Sequence, residues 1–171
     1  MSRTPLHRRH EWTTYPLPGH SKAGAWDGYV VHHFYRPDVA AGPSEAERDT
    51  MRAVDKTHAT NGWGGIGYAW VIFQTGRLWE GRGWSRTGAH TEGQNSKLCG
   101  VAFAIDGDTH PPSLEAWLTF VHLIRLGEQA GLVQRAPKMY RHNDFAAKSC
   151  PGGHVGTARL SFARDYVDRT L

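Results

Sequence analysis

The sequence predicts a single α/β domain built on a central mixed β-sheet flanked by helices. Three observations carry that expectation. Short β-branched and aromatic runs alternate along the chain with stretches of helical period, the pattern of strands interleaved with helices. A length of 171 residues suits one compact core. A hydrophobic fraction of 39% is enough to fill that core, and 20 Gly with 9 Pro call for many loops without reaching the composition of a disordered chain.

Residues 1–27 are polar and proline-containing with no period, and they read as an irregular N-terminal extension ahead of the domain proper at 28–171. The run Tyr29, Val30, Val31, His32, His33, Phe34, Tyr35, stopped by Pro37, predicts a buried strand. Ser44 and Glu47 have the spacing of a capping box and open a helix to about Thr60, ended near Gly62. Residues 68–73 form a second strand, and the turn Gln74, Thr75, Gly76 leads into a hairpin partner at 77–80. A glycine-rich loop at 81–97 is too polar for core, and a further strand spans 99–105. Beyond Pro111 and Pro112, residues 113–129 predict a helix with Leu114, Trp117, Leu118, Val121 and Ile124 inward and Gly131 as the stop. A short strand at 139–141 and a last helix at about 157–170, with Leu160, Phe162, Ala163, Tyr166 and Val167 partly inward, complete the chain.

A net charge of +4 favours polyanionic surroundings, but no block of five or six like charges occurs, so no nucleic-acid partner is expected. Two cysteines, Cys99 and Cys150, are too few for a disulfide scaffold, and both thiols are expected free. No apolar run has the length of a signal peptide or a membrane span, so stable membrane insertion is not expected and synthesis in the cytoplasm without an export signal is.

Eleven histidines are an unusual share, and neutral imidazole is a common metal ligand. The informative cluster runs from Arg141 and His142 through Asn143, Asp144 and Lys148 to Cys150 and Pro151, a His and a Cys in one polar loop. Cys99 lies in an apolar run and reads as a small buried hydrophobe. A catalytic metal site needs a third protein ligand and an open position, and one of His32 and His33 can supply it. Strand alternation turns the other away.

The order Val31, His32, His33; Gly67, Tyr68; Glu80, Gly81, Arg82, Gly83, Trp84; Gly88, Ala89, His90; Arg141, His142; Lys148, Ser149, Cys150, Pro151 resembles the N-acetylmuramoyl-L-alanine amidases of phage lysins and peptidoglycan recognition proteins. The likeness covers about residues 28–155, and the interval from His142 through Lys148 to Cys150 is similar to that of the catalytic phage lysins. The resemblance implies Zn2+ held by His32, His142 and Cys150, with Tyr68 and Lys148 as catalytic side chains. It also implies about five or six strands with helices on both sides of the sheet. His32 is preferred to His33 because the family ligand directly follows the apolar strand residues. Zinc would activate water and polarise the amide carbonyl, and Lys148 would stabilise the oxyanion. Tyr68 would orient the water or relay a proton. Arg82, Trp84, His90 and Asn95 are expected along the substrate groove, whereas Trp70 and Trp117 lie in regular apolar patterns and read as core.

Two departures stand out. Cys99 occupies a usually aliphatic position, and Phe34 with Tyr35 replace small polar residues after the ligand His. The reading is a monomeric phage-type endolysin that cuts bacterial peptidoglycan between N-acetylmuramic acid and L-alanine. It would be held in the host cytoplasm until lysis and has no separate wall-binding domain. The alternative is a recognition module that binds peptidoglycan without cutting it. The complete ligand set, Cys150 included, favours the enzyme.

Overall fold

The computed structural model describes residues 5–34 and 44–168. Six strands, Leu6–His7 (β1), Trp26–His33 (β2), Trp70–Ile72 (β3), Leu78–Glu80 (β4), Leu98–Phe103 (β5) and Val133–Arg141 (β6), form one sheet in the order β1-β4-β3-β5-β2-β6. The β3–β4 hairpin is antiparallel, and every other pair of neighbours is parallel. Three helices, Ser44–Thr60 (α1), Leu114–Gln129 (α2) and Thr157–Asp168 (α3), complete the α/β domain. Among the described residues no helix is long and apolar enough to cross a membrane.

Both faces of the sheet are covered, so its central strands β3 and β5 and most of β2 are buried, and successive side chains divide between two cores. Trp70 and Ile72 of β3 join Tyr29, Val31, Val101 and Phe103 under α2 and α3, whereas Val71 joins Trp79 and Ala102 under Met51 and Val54 of α1. The hairpin turns at Gly76, whose φ of 77° favours a residue without a Cβ. In β6 a bulge shifts the register against β2, and Ala136 there takes a φ of 51° with its N–H bonded to Glu128 (2.9 Å).

Four expectations are corrected. The N-terminal segment is not merely irregular: Leu6–His7 pairs with β4, Trp12 is fully buried, and β2 begins at Trp26. The last strand is not three residues but nine. The inward face of α2 carries Ala116, Thr119, Phe120, Leu123, Ile124 and Gly127, leaving Leu114 and Leu118 69% and 54% exposed. In α3, Leu160, Ala163 and Val167 are buried while Phe162 and Tyr166 face outward. Tyr35, Pro37 and residues 169–170 of the expected last helix lie outside the described residues.

Glu47, expected as a capping residue, is fully buried and serves the hairpin instead. Its carboxylate accepts from Trp79 Nε1 (2.7 Å), Thr75 Oγ1 (2.6 Å) and Arg77 Nη1 (3.0 Å), tying α1 to the β3–β4 turn. Glu47→Ala is expected to cost about 3 kcal/mol. That is the low end for removing one partner of a buried ion pair, because Arg77 is 29% exposed and can turn to water. Urea unfolding measures it, and a loss under about 1 kcal/mol would show that the carboxylate is dispensable.

Candidate metal centre and active site

In open sheets of parallel strands, sites form beyond the carboxyl ends of the strands, and here β2 and β6 are parallel neighbours that end together. Val31 pairs with Arg141, so the next residues, His32 and His142, come side by side with ring centroids 4.5 Å apart. Cys150 reaches the same point on the loop after β6, which is tied down by the Asn143 N–H bonded to the Cys150 carbonyl (2.9 Å). The His33 backbone N–H donates to Cys150 Sγ (3.3 Å), and His32 Nδ1 lies 3.8 Å from the same sulfur. One ligand atom from each of His32, His142 and Cys150 lies within 4.8 Å of the others.

Two imidazoles and a thiol suit a borderline-soft divalent ion of the zinc kind and not magnesium or calcium, which take oxygen ligands. The electrostatics agree. Burial, then His90 and His142, holds His32 well below the ordinary histidine range; burial, then Lys148, lowers His142, so both imidazoles are neutral at pH 7. Burial pushes the Cys150 thiol up to about 11, a shift that the His33 N–H and Lys148 partly offset.

Tyr68 lies over this cluster, 9% exposed, its ring centroid 5.2 Å from that of His32 and its face stacked on Phe34. Burial, then Cys150, raises its phenol, so it stays a hydrogen-bond donor and is a poor base. Lys148 is exposed on the loop, close enough to lower both His142 and Cys150. His33 faces away, as alternation requires: its Nδ1 accepts from Gly107 N–H (2.9 Å), beside Asp106 and Asp108. Cys99 is fully buried, and both thiols are free.

The four loop residues expected along the groove have their side chains engaged within the domain. Arg82 is 3% exposed and donates to the carbonyls of Ile66 (2.6 Å), Trp63 (2.7 Å) and Thr87 (2.9 Å), and burial brings it down to about 10. That makes it a brace for the loop, a correction to the expected substrate contact. Trp84 packs inward on Trp70, centroids 5.1 Å apart. Asn95 Oδ1 accepts from the N–H groups of His90 (2.8 Å) and Thr91 (3.0 Å). His90, 7% exposed, sits behind His32 with its Nδ1 3.0 Å from His32 Nε2, and burial pushes it down to about 3.

Two residues of this region went unread in the sequence. Thr91 Oγ1 stands 3.3 Å from His32 Nε2, and its only sequence signal is adjacency to His90. His58 of α1 packs on Tyr68 and accepts from Gly67 N–H (2.9 Å), held down to about 4 by burial and then by Arg82.

The profile of the N-acetylmuramoyl-L-alanine amidase family matches residues 22–153. The human protein named N-acetylmuramoyl-L-alanine amidase is 34% identical over 152 residues, which are 86% of this chain and 26% of that protein. The chain thus spans about a quarter of the length of that relative. Wild-type Drosophila PGRP-LB superposes with a TM-score of 0.83 at 28% identity, covering 93% of this chain and 94% of that one. A PGRP-LB variant solved in complex with tracheal cytotoxin gives 0.78 at 28% identity, covering 87% and 89%. On sequence, fold and the residues gathered at the ends of β2 and β6, the chain belongs to the N-acetylmuramoyl-L-alanine amidase family.

Proposed function

We propose that this chain is a zinc-dependent amidase that hydrolyses the lactyl amide between N-acetylmuramic acid and L-alanine in bacterial peptidoglycan, in the manner of a phage-type endolysin. The convergence of His32, His142 and Cys150 carries the reading, since three protein ligands of the zinc type with room for a fourth are what a catalytic zinc site needs. The complex of a PGRP-LB variant with tracheal cytotoxin, a monomeric diaminopimelic acid-type peptidoglycan, supports the choice of substrate. The Lys148 and Cys150 spacing supports the lysin type and, with it, a chain held in the host cytoplasm until lysis.

His32, His142 and Cys150 would hold the ion. When bound, zinc supplies Lewis-acid polarisation of the amide carbonyl and acidifies water. The remaining work falls to the chain's own groups. Tyr68, with its proton retained, donates a hydrogen bond at the mouth of the cluster and orients what lies there. The Lys148 ammonium faces the carbonyl oxygen as charge builds on it. The apolar wall of Phe34 and Tyr68 lowers the local dielectric and strengthens both interactions.

Digestion of purified peptidoglycan tests the reading. New L-alanine amino termini should accumulate, stop on addition of a chelator and resume with added zinc. New reducing sugar ends would make the protein a glycosidase, and retention on peptidoglycan with neither product would make it a binding module.

A further inference from the structure

We propose that His90 is a positioning residue: a hydrogen-bond chain from the Leu98 carbonyl through His90 to His32 fixes the proton of His32 on Nε2 and leaves its Nδ1 bare toward Cys150. The positioning role rests on the metal reading above, whereas the hydrogen-bond chain is a property of the bare protein.

The assignment follows from the one partner whose role is fixed. A carbonyl oxygen only accepts, so His90 Nε2, 3.1 Å from the Leu98 oxygen, carries a proton. A second proton on Nδ1 would make a buried imidazolium. Its ring partners are His32, Thr91 and the Leu98 carbonyl, with no carboxylate among them to offset the charge. His90 Nδ1 is therefore an acceptor. Across 3.0 Å from it, His32 Nε2 must donate, and Thr91 Oγ1 at 3.3 Å offers that proton a second acceptor. A neutral imidazole protonated on Nε2 has its lone pair on Nδ1, and Nδ1 of His32 is the atom 3.8 Å from Cys150 Sγ.

The slot around His90 is built for a flat ring. A Cβ on Gly88 or on Gly100 would run into the imidazole, so both glycines let the backbone approach the ring closely. Asn95 holds the loop at that depth by accepting from the backbone N–H groups of His90 and Thr91. A ring clamped this way gives His32 one orientation, and an acceptor on its outer N–H makes the bare nitrogen a better ligand.

Long-range proton–nitrogen spectra of the metal-free wild-type chain read the tautomers directly. Both His32 and His90 should show a protonated Nε2 and a bare Nδ1; a proton on His32 Nδ1 would overturn the proposal. Zinc affinity, measured by competition with a chromophoric chelator, supplies the second reading. His90→Phe keeps a ring and removes the acceptor, and should weaken zinc roughly 10- to 100-fold. His90→Asn loses the ring but can place Oδ1 near the position of Nδ1, and should recover most of the affinity. Rescue by Phe and not by Asn would mean that His90 only fills space and would overturn the positioning role. If both variants misfold, the wild-type spectrum still decides the hydrogen-bond chain. Failure of the wild-type chain to take up zinc, with His32 protonated on Nε2, would overturn the metal reading and the positioning role but not the hydrogen-bond chain.

Discussion

Cys150→Ser is expected to weaken zinc binding by more than about 100-fold and to bring release of L-alanine amino termini to background. Loss of a mere hydrogen-bond partner of a metal ligand costs roughly 10- to 100-fold, and Cys150 would be a ligand itself. The pH dependence gives an independent signature. Burial pushes the free thiol up to about 11, so at neutral pH the sulfur holds a proton that a metal must displace, while His32 and His142, both lowered, are already neutral. Zinc uptake should therefore release about one proton per chain, and affinity should rise about tenfold per pH unit toward the thiol pKa. Calorimetry in buffers of different ionisation enthalpy counts the proton. The serine variant should lose both the affinity and that proton. Retention of zinc by Cys150→Ser would remove the sulfur from the site.

Much of the architecture was legible because burial leaves a period. The β2 run reads as a strand buried on both faces, and Thr75 with Gly76 between two apolar segments reads as a hairpin. The inward face of α2 was not legible, for a definite reason. Leu114, Trp117, Leu118 and Val121 have the same spacing as Ala116, Thr119, Phe120 and Leu123, so two stripes fit one helix and only the sheet beneath chooses between them. Glu47 had two consistent uses, as a cap or as a buried acceptor, and the distant Trp79 and Arg77 decided it.

The site divides the same way. His142 and Cys150 announce themselves within one loop, but their meeting with His32 depends on the Val31–Arg141 register, which no local pattern encodes. The loop at 81–97 shows the converse. Arg82, Trp84, His90 and Asn95 are as suited to bracing a glycine-rich loop as to gripping a sugar peptide, and composition does not separate the two uses.

Lys148→Ala should leave zinc bound and lower kcat for L-alanine release on the order of 100-fold, with KM little changed, as expected for loss of one oxyanion donor. The residue is exposed, two positions before Cys150, on a turn held by its own N–H bonded to the Ala146 carbonyl (2.8 Å), so truncating its side chain breaks no packing. Its charge already reaches the centre, since it lowers both His142 and Cys150. The same coupling fixes the sign of a second effect. Without the ammonium the Cys150 thiol rises further, zinc uptake at neutral pH weakens, and the kinetics must be read at saturating zinc. An ammonium aimed at a carbonyl oxygen gains most when that oxygen becomes an oxyanion, which is why the loss belongs in kcat. Lys148→Arg keeps the charge with a different reach and should recover part of the rate. A rise in KM alone would make Lys148 a substrate-binding group, and full activity in Lys148→Ala would leave the oxyanion to the metal.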